Sequence, residues 1–129
     1  MAGPITVPLG PATVNLTGVR AGDRNLILAT VMDKNGPIDL TGRTLAAQAR
    51  GKVNDPDPPA MTAEVTVVDA VTGQISIRWP GDQVTAVLGQ SATWSGAWDL
   101  QVESPGEDPV TICAGKISCE MDVTRVVVP

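Results

Sequence analysis

The sequence predicts an all-β protein, an antiparallel immunoglobulin-like β-sandwich of seven to eight strands with one short helical turn. Three observations predict this class. The segment from Thr93 to Glu103 alternates in polarity without a break, as a half-buried strand does. The apolar residues are mostly Val, Ile, Leu and Ala, and Thr is abundant. The 13 glycines and 11 prolines suit short strands joined by tight turns.

The strand over Thr93–Glu103 places its two tryptophans on one face. Because side chains of a strand alternate with a period of two, five positions share the inward face and the polar ones share the other. The predicted inward residues are Trp94, Gly96, Trp98, Leu100 and Val102. We therefore expect a strand that lies on a core and keeps a solvated outer face.

The remaining elements follow in chain order. Residues 1–12 contain three prolines and no charge, which predicts an extended N-terminal arm. Residues 13–125 are expected to form the sandwich, and residues 126–129 a C-terminal tail. Loops are predicted at 54–60 and 104–109. The predicted strands cover Thr13–Val19, Asn25–Asp33, Thr44–Arg50, 63–67, 75–79, 93–103 and Val110 to about Arg125.

Two details of packing can be predicted from these segments. Asn25–Asp33 is apolar on both parities, which is typical of a central strand covered on both faces. In the segment 80–90, Asp82 is expected to cap a short helical turn and Gly89 to end it.

The last strand contains both cysteines and changes phase along its length. A β-bulge at Gly115 and Lys116 would explain the change, with Cys119 in the core and Cys113 on the opposite face. In an extended strand the two Cα atoms lie on the order of 20 Å apart, so no bridge between them is expected.

Charge and hydropathy exclude several classes of partner. The net charge is −5, and the nine basic residues are scattered, whereas a nucleic-acid binder carries a basic patch. No apolar run reaches the roughly 18 to 20 residues that cross a bilayer, and the N-terminus MAGPITVPLG lacks the pattern of a signal peptide. We expect no nucleic-acid or membrane partner, and synthesis in the cytoplasm.

The residue types that carry catalysis are sparse. The chain has no histidine, the commonest general base and zinc ligand, so we expect no enzyme and no catalytic, cofactor or metal site. The acidic pairs Asp55/Asp57 and Glu107/Asp108 are interpreted as solvated loop charge rather than as a site. Asp33, Asn35 and Gly36 are similarly interpreted as a hairpin turn rather than a calcium loop.

The tryptophans allow two alternatives to core packing. If the strand were flipped, Trp94 and Trp98 would form a carbohydrate platform, but Asp99, Gln101 and Glu103 would then be buried without partners. Trp79 ends a strand before Pro80 and is a candidate contact with a partner protein.

The two ends of the chain are the remaining candidates for assembly contacts. Both are apolar, and uncovered apolar ends promote aggregation. We expect neighbouring subunits to cover them, the alternative being two tails without fixed structure. The predicted assembly contacts are Ile5, Val7, Leu9, Trp79, Val126, Val127 and Val128.

Motifs along most of the chain resemble one known family. The segments GDRNLILATVMDKNGPIDLTGRTLAAQAR, DAVTGQISIRWPGDQVTAVL, WSGAWDL and GKISCEMDVTR follow one another over residues 20–125. In this order they resemble the immunoglobulin-like domain at the N-terminus of tailed-phage baseplate upper proteins and of related phage tail and virion proteins. The matching residues are Asp33, Gly36, Ile38, Asp39, Leu40, Thr41, Gly42, Asp69, Thr72, Gly73, Asp82, Asp99, Leu100 and Gly115.

The resemblance implies a non-enzymatic building block of a bacteriophage virion. It leads us to expect a minor tail or tail-tip component, present as a homo-oligomer or symmetric multi-copy assembly with other phage structural proteins as its partners. A capsid decoration protein is the first alternative, and a carbohydrate-binding module that contacts the host envelope is the second. Motifs made of turn and core residues specify fold better than role.

Overall fold

Two β-sheets pack face to face and enclose one core, as the alternating segments predict. The structure is a computed structural model that describes residues 5–8, 12–21, 24–33 and 35–121. Within them lie eleven strands and one helix. These are β1 Ile5–Pro8, β2 Ala12–Thr13, β3 Leu16–Arg20, β4 Leu26–Asp33, β5 Gly36–Pro37, β6 Thr44–Arg50, β7 Met61–Thr62, β8 Glu64–Asp69, β9 Gln74–Arg78, α1 Gly81–Leu88, β10 Thr93–Glu103 and β11 Val110–Glu120.

The first sheet has the order β1-β4-β9-β8, with β5 paired to β4. The second has the order β2-β11-β10-β6-β7, with β3 paired to β11. Among the described strands the chain passes from one sheet to the other five times, after β1, β3, β5, β7 and β9. Between β7 and β8 the amide of Ala63 donates to the carbonyl of Ala47. The all-β sandwich expected from the sequence is confirmed.

The predicted N-terminal arm contains regular structure. Strand β1 pairs in parallel with β4, with Ile5 opposite Ala29 and Pro8 opposite Met32. Strand β2 pairs in parallel with β11. The interpretation of residues 1–12 as an arm without a regular element was therefore wrong for Ile5–Pro8, because long-range pairing with β4 overrides the local effect of the prolines.

The core follows the predicted parities. On β10, Trp98, Leu100 and Val102 are buried, and Trp94 is half-buried against the same cluster. On β6 the buried residues are Ala47 and Ala49, and on β9 they are Ile75 and Ile77. The fully buried residues at the centre include Val31, Leu40, Ala47, Ala49, Ile77, Trp79, Val84, Leu100, Ile112, Cys113, Ile117 and Cys119.

The β-bulge of the last strand lies at Ile112, not at Gly115. Leu100 pairs with Cys113 and Gln101 with Thr111, which leaves Ile112 as the extra residue. Both Ile112 and Cys113 consequently point inward and are 0% exposed. The prediction that Cys113 faces away from the core was wrong, because the change of phase occurs three residues earlier than expected.

Gly115 lets the N-terminal edge of the sheet approach β11 closely. A Cβ atom at Gly115 would overlap the carbonyl oxygen of Val14 and lie 2.7 Å from its carbonyl carbon. Between β2 and β3 the amide of Val14 donates to the carbonyl of Ala114 at 3.0 Å. The amide of Lys116 donates to Asn15 Oδ1, also at 3.0 Å, so the Asn15 side chain replaces a backbone acceptor where the strand is interrupted.

Asn25 joins the turn after β3 to the end of β9. Its Oδ1 accepts from the amide of Arg20 at 2.9 Å, and its Nδ2 donates to the carbonyls of Arg20 and Trp79 at 2.7 and 3.2 Å. The residue is 9% exposed and has a φ of 54°, a conformation that Asn tolerates better than most residues. A buried polar side chain is thus satisfied on both its donor and acceptor atoms.

Helix α1 covers one end of the core with Val84 and Leu88. Gly89 ends it with a φ of 59°, as predicted. Asp82 does not cap it: the N-cap is Pro80, no side chain bonds the free amides, and Asp82 lies within the first turn. A carboxylate there still favours the helix through the dipole.

Candidate functional surfaces

The predicted assembly contacts are distributed between described and undescribed parts of the chain. Ile5 and Val7 lie on β1, whose backbone pairs with β4 of the same chain. Leu9 and the three valines Val126–Val128 lie outside the described residues.

Trp79 is not a surface residue. Its side chain is 0% exposed and packs edge to face against Trp98, with ring centroids 6.3 Å apart and planes at 86°. No described residue accepts a hydrogen bond from its Nε1. The prediction that Trp79 contacts a partner was wrong, and its parity with Ile75 and Ile77 on β9 was the signal for burial.

The tryptophans of β10 do not form a stacking platform. Trp98 is 2% exposed, and its Nε1 donates to the carbonyl of Val14 at 2.8 Å. Trp94 is half-buried and folds over Gly96, where a Cβ atom would overlap the indole ring. Trp98 therefore presents no open face to a sugar, and Trp94 packs partly against the core.

A groove crosses the outer face of the six-stranded sheet. Its volume is about 650 Å³, within the roughly 300 to 1,000 Å³ typical of small-molecule sites. Small side chains form its floor, because Ala46, Ala97 and Ala114 occupy outward positions on three adjacent strands. The remaining lining residues are Thr13, Gln48, Arg50, Val53, Trp98, Asp99, Gln101, Gly115 and Lys116.

Asp99 lies at the centre of this groove. It pairs with Gln48 on β6 and with Ala114 on β11, so its neighbours on either side are an amide and a methyl group. Burial raises the pKa of the Asp99 carboxyl, and the positive charge of Arg50 opposes that effect. Within the described part of the chain no hydrogen bond or ion pair to the Asp99 carboxylate is present.

Arg50 is fixed at one end of the groove by other groups. Its guanidinium donates to Gln48 Oε1 at 3.3 Å and to the carbonyl of Asp55 at 3.2 Å, and it forms an ion pair with Asp57. The charge of Arg50 is therefore matched by Asp57 rather than by Asp99. Lys116 lies across the groove, and both cations are cross-strand neighbours of Ala97.

The acidic loop residues have structural partners. Asp55 Oδ2 accepts from the amide of Lys52 at 2.9 Å, and Asp57 binds Arg50. The amide of Glu107 donates to the carbonyl of Ser104 in the predicted hairpin turn. Among the described residues no three His, Cys, Asp or Glu side chains are grouped as metal ligands.

Both cysteines are buried free thiols. Burial raises the pKa of Cys113 to about 11, with a further contribution from the negative charge of Asp99, and burial alone raises the pKa of Cys119 to about 11. A thiol with such a pKa is almost entirely protonated at neutral pH and is a poor nucleophile. These residues are part of the core rather than of a reactive site.

Comparison with known proteins gives similarity at the level of fold. No family model matches the chain, and no curated protein matches it. Among solved structures, the N-terminal domain of phage TP901-1 ORF48 is 12% identical, with 94% of this chain and 99% of that chain covered and a TM-score of 0.48. The bradyzoite-specific antigen BSR4 of Toxoplasma gondii is 9% identical, with 96% and 50% covered and a TM-score of 0.33.

The length of the helix can be compared with the length needed to span a membrane. Helix α1 has eight residues, and no helix in the described ranges is long and apolar enough to span a bilayer.

Proposed function

We propose that this chain is a non-enzymatic structural protein of a bacteriophage virion, a minor tail or tail-tip component of the baseplate type. In this role it assembles with other phage structural proteins through its sheet edges and termini. The proposal is supported by the ordered motifs over residues 20–125 and by the apolar side chains that the first sheet leaves exposed.

The motif residues form one continuous structural unit. The amide of Val31 donates to the carbonyl of Gly73, and the amide of Leu40 donates to the carbonyl of Ala70. Gly73 has a φ of 69°, and a Cβ atom there would lie 2.7 Å from the carbonyl oxygen of Val31. The segments that carry the resemblance, 33–42 and 69–73, are therefore held together by backbone hydrogen bonds and a close contact at Gly73.

The observation that carries the proposal is a set of exposed apolar side chains on the first sheet and in the turn after its edge strand. Leu28 on the outer face of β4 is 42% exposed, Val68 at the bulge of the edge strand β8 is 58% exposed, and Val71 in the following turn is 68% exposed. The sequence predicted that β4 is covered on both faces, and the described residues leave Leu28 on its outer face exposed. A neighbouring subunit would cover this outer face, and the edge of β8 is a template for added strands.

Quantitative mass spectrometry of purified virions tests the role. A tail-tip component is expected at a few multiples of three or six copies per particle. Hundreds of copies would instead identify a capsid decoration protein, and absence from the particle would contradict a virion role altogether.

A pair of matched variants tests the surface. Val68→Glu places a charge at the exposed edge, and Val110→Glu places one at a valine of the other sheet that is 54% exposed. We expect Val68→Glu to reduce incorporation into particles at least tenfold, while Val110→Glu is incorporated like the unchanged chain. Equal incorporation of both variants would contradict assembly through this edge.

A further inference from the structure

The groove on the outer face of the six-stranded sheet has a charge distribution that selects for one class of ligand. Four charged groups define it: Arg50, Asp57, Lys116 and Asp99. Their formal charges sum to zero, so neither an anion nor a cation gains a net attraction. A phosphate or carboxylate near Lys116 would face Asp99, and an amine near Asp99 would face Lys116 and Arg50.

The hydrogen-bonding groups of the groove are arranged around a recess. The Asp99 carboxylate is half-buried, has no hydrogen-bond partner among the described residues, and offers two acceptor oxygens. Gln48 and Gln101 flank it on the same outer face. Gln48 Oε1 accepts from Arg50 and Gln101 Nε2 donates to Thr111 Oγ1 at 3.5 Å, which leaves the Gln48 amide N–H groups and Gln101 Oε1 for a ligand. Because burial without partners is unfavourable for a carboxylate, a ligand that donates two hydrogen bonds to Asp99 is stabilised there.

The floor explains why a flat molecule fits. Ala46, Ala97 and Ala114 carry only methyl groups on three neighbouring strands, whereas Arg50 and Lys116 rise on either side of Ala97. Adjacent strands lie about 4.8 Å apart, so the two cations arise from backbones about 10 Å apart. Between these cations lies Ala97, while Ala114 is the cross-strand neighbour of Asp99 and Ala46 is that of Gln101. The spacing of the cations admits one pyranose ring over Ala97 and Ala114.

We propose that this groove binds a neutral saccharide, with vicinal hydroxyls donating to the Asp99 carboxylate and the side chains of Gln48 and Gln101 binding neighbouring hydroxyls. The groove exposes no open aromatic face, so the expected dissociation constant for a monosaccharide is on the order of 1 mM. The site is distinct from the apolar edge on the other sheet, and it does not depend on the proposed virion role.

Amide chemical shifts measured by NMR during titration test this site on the intact chain. The probes are glucose, galactose and N-acetylglucosamine, with glucuronic acid and glucosamine as charged comparisons, each up to on the order of 50 mM, well above a millimolar dissociation constant. We expect saturable shifts at Ala97, Asp99 and Ala114 with at least one neutral sugar, and at least threefold weaker binding of both charged sugars. No saturable shift in the groove with any neutral sugar, or tighter binding of a charged one, would overturn the proposal.

Variants locate the binding. Asp99→Ala is expected to weaken sugar binding at least tenfold, and Gln48→Ala at least threefold. Gln74→Ala, on the exposed face of the other sheet, should leave the affinity unchanged. Thermal unfolding checks that each variant is folded, and Gln48→Ala carries the test if Asp99→Ala is not. Unchanged affinity in a folded Asp99→Ala or Gln48→Ala variant would show that the sugar binds elsewhere.

Discussion

The Nε1 of Trp98 donates a hydrogen bond to the carbonyl oxygen of Val14, 84 residues earlier in the chain, at 2.8 Å. Val14 lies between β2 and β3, the two short strands that form the parallel edge of the six-stranded sheet. The bond therefore fixes the N-terminal edge to the centre of the core. Trp79, which packs edge-on against Trp98, has no such acceptor among the described residues.

This difference predicts unequal effects of two similar substitutions. Trp98→Phe removes a buried hydrogen bond and leaves the Val14 carbonyl without its indole donor, whereas Trp79→Phe removes an indole N–H for which the described residues provide no acceptor. We expect Trp98→Phe to lower the free energy of unfolding by about 1 to 2 kcal/mol more than Trp79→Phe does. Denaturant unfolding of the two variants measures this, and equal losses would show that the bond to Val14 contributes nothing.

Gly115 on β11 is in close contact with the same N-terminal edge. Gly115→Ala places a methyl group into the Val14 carbonyl, and a backbone atom held in a strand edge cannot move aside cheaply. We expect a loss of about 3 kcal/mol in the free energy of unfolding, at the upper end for overpacking.

Gly106→Ala is the matched control for Gly115→Ala. Gly106 has a φ of 76° in the loop before β11, and a Cβ atom there would meet nothing within 4 Å. Its cost is expected to be the backbone strain alone, about 1 kcal/mol. A Gly115→Ala variant as stable as Gly106→Ala would contradict the close approach of Val14.

Much of this fold follows from local pattern, and the parts that do not follow are long-range. The alternation of β10 placed Trp98, Leu100 and Val102 in the core because a strand offers only two faces. The parallel pairing of β1 with β4 was not predictable from the proline-rich residues 1–12, since partner choice depends on distant sequence. The bulge at Ile112 is likewise set by register with β10 rather than by the residues around it.

The groove could not be predicted for a similar reason. It exists because Ala46, Ala97 and Ala114, which are far apart in the sequence, come to lie on one face of three adjacent strands only once β6, β10 and β11 are aligned. The sequence predicted Asp99 on the outer face, but its half-burial depends on the position of β10 between β6 and β11.

The raised pKa of Asp99 predicts a pH-dependent stability. The folded state binds the proton more tightly than the unfolded chain does, so the contribution of Asp99 to stability falls as pH rises from the ordinary value of 3.8 through the higher folded value. Asp99→Asn cannot ionise and should escape this loss. The stability of Asp99→Asn relative to the unchanged chain should therefore increase from pH 3 to pH 7.

The check is denaturant unfolding of both proteins across that range. The pKa of Asp39 is lowered by hydrogen bonds from the Thr41 side chain and amide, so the contribution of Asp39 to stability rises with pH. Asp39 is present in both proteins. It therefore cancels in the difference. A difference that is constant with pH would contradict the burial of Asp99.

The cysteines predict a sharp contrast in thiol reactivity. Cys113 and Cys119 are fully buried, and both have a pKa raised to about 11, so iodoacetamide at neutral pH should modify them only as fast as the protein unfolds. Ala114→Cys adds a thiol on the exposed outer face of the same strand. Mass spectrometry should find rapid modification of position 114 alone, and early modification of Cys113 would contradict its inward direction at the bulge.

Hydrogen–deuterium exchange of the chain, measured both in isolation and within purified virions, tests the central claim of assembly through the first sheet most directly. We predict that peptides covering β8, Glu64–Asp69, exchange at least tenfold more slowly in the particle, while peptides from the hairpin loop 104–109 exchange equally in both. Identical exchange of Glu64–Asp69 in the free and assembled protein would contradict the claim.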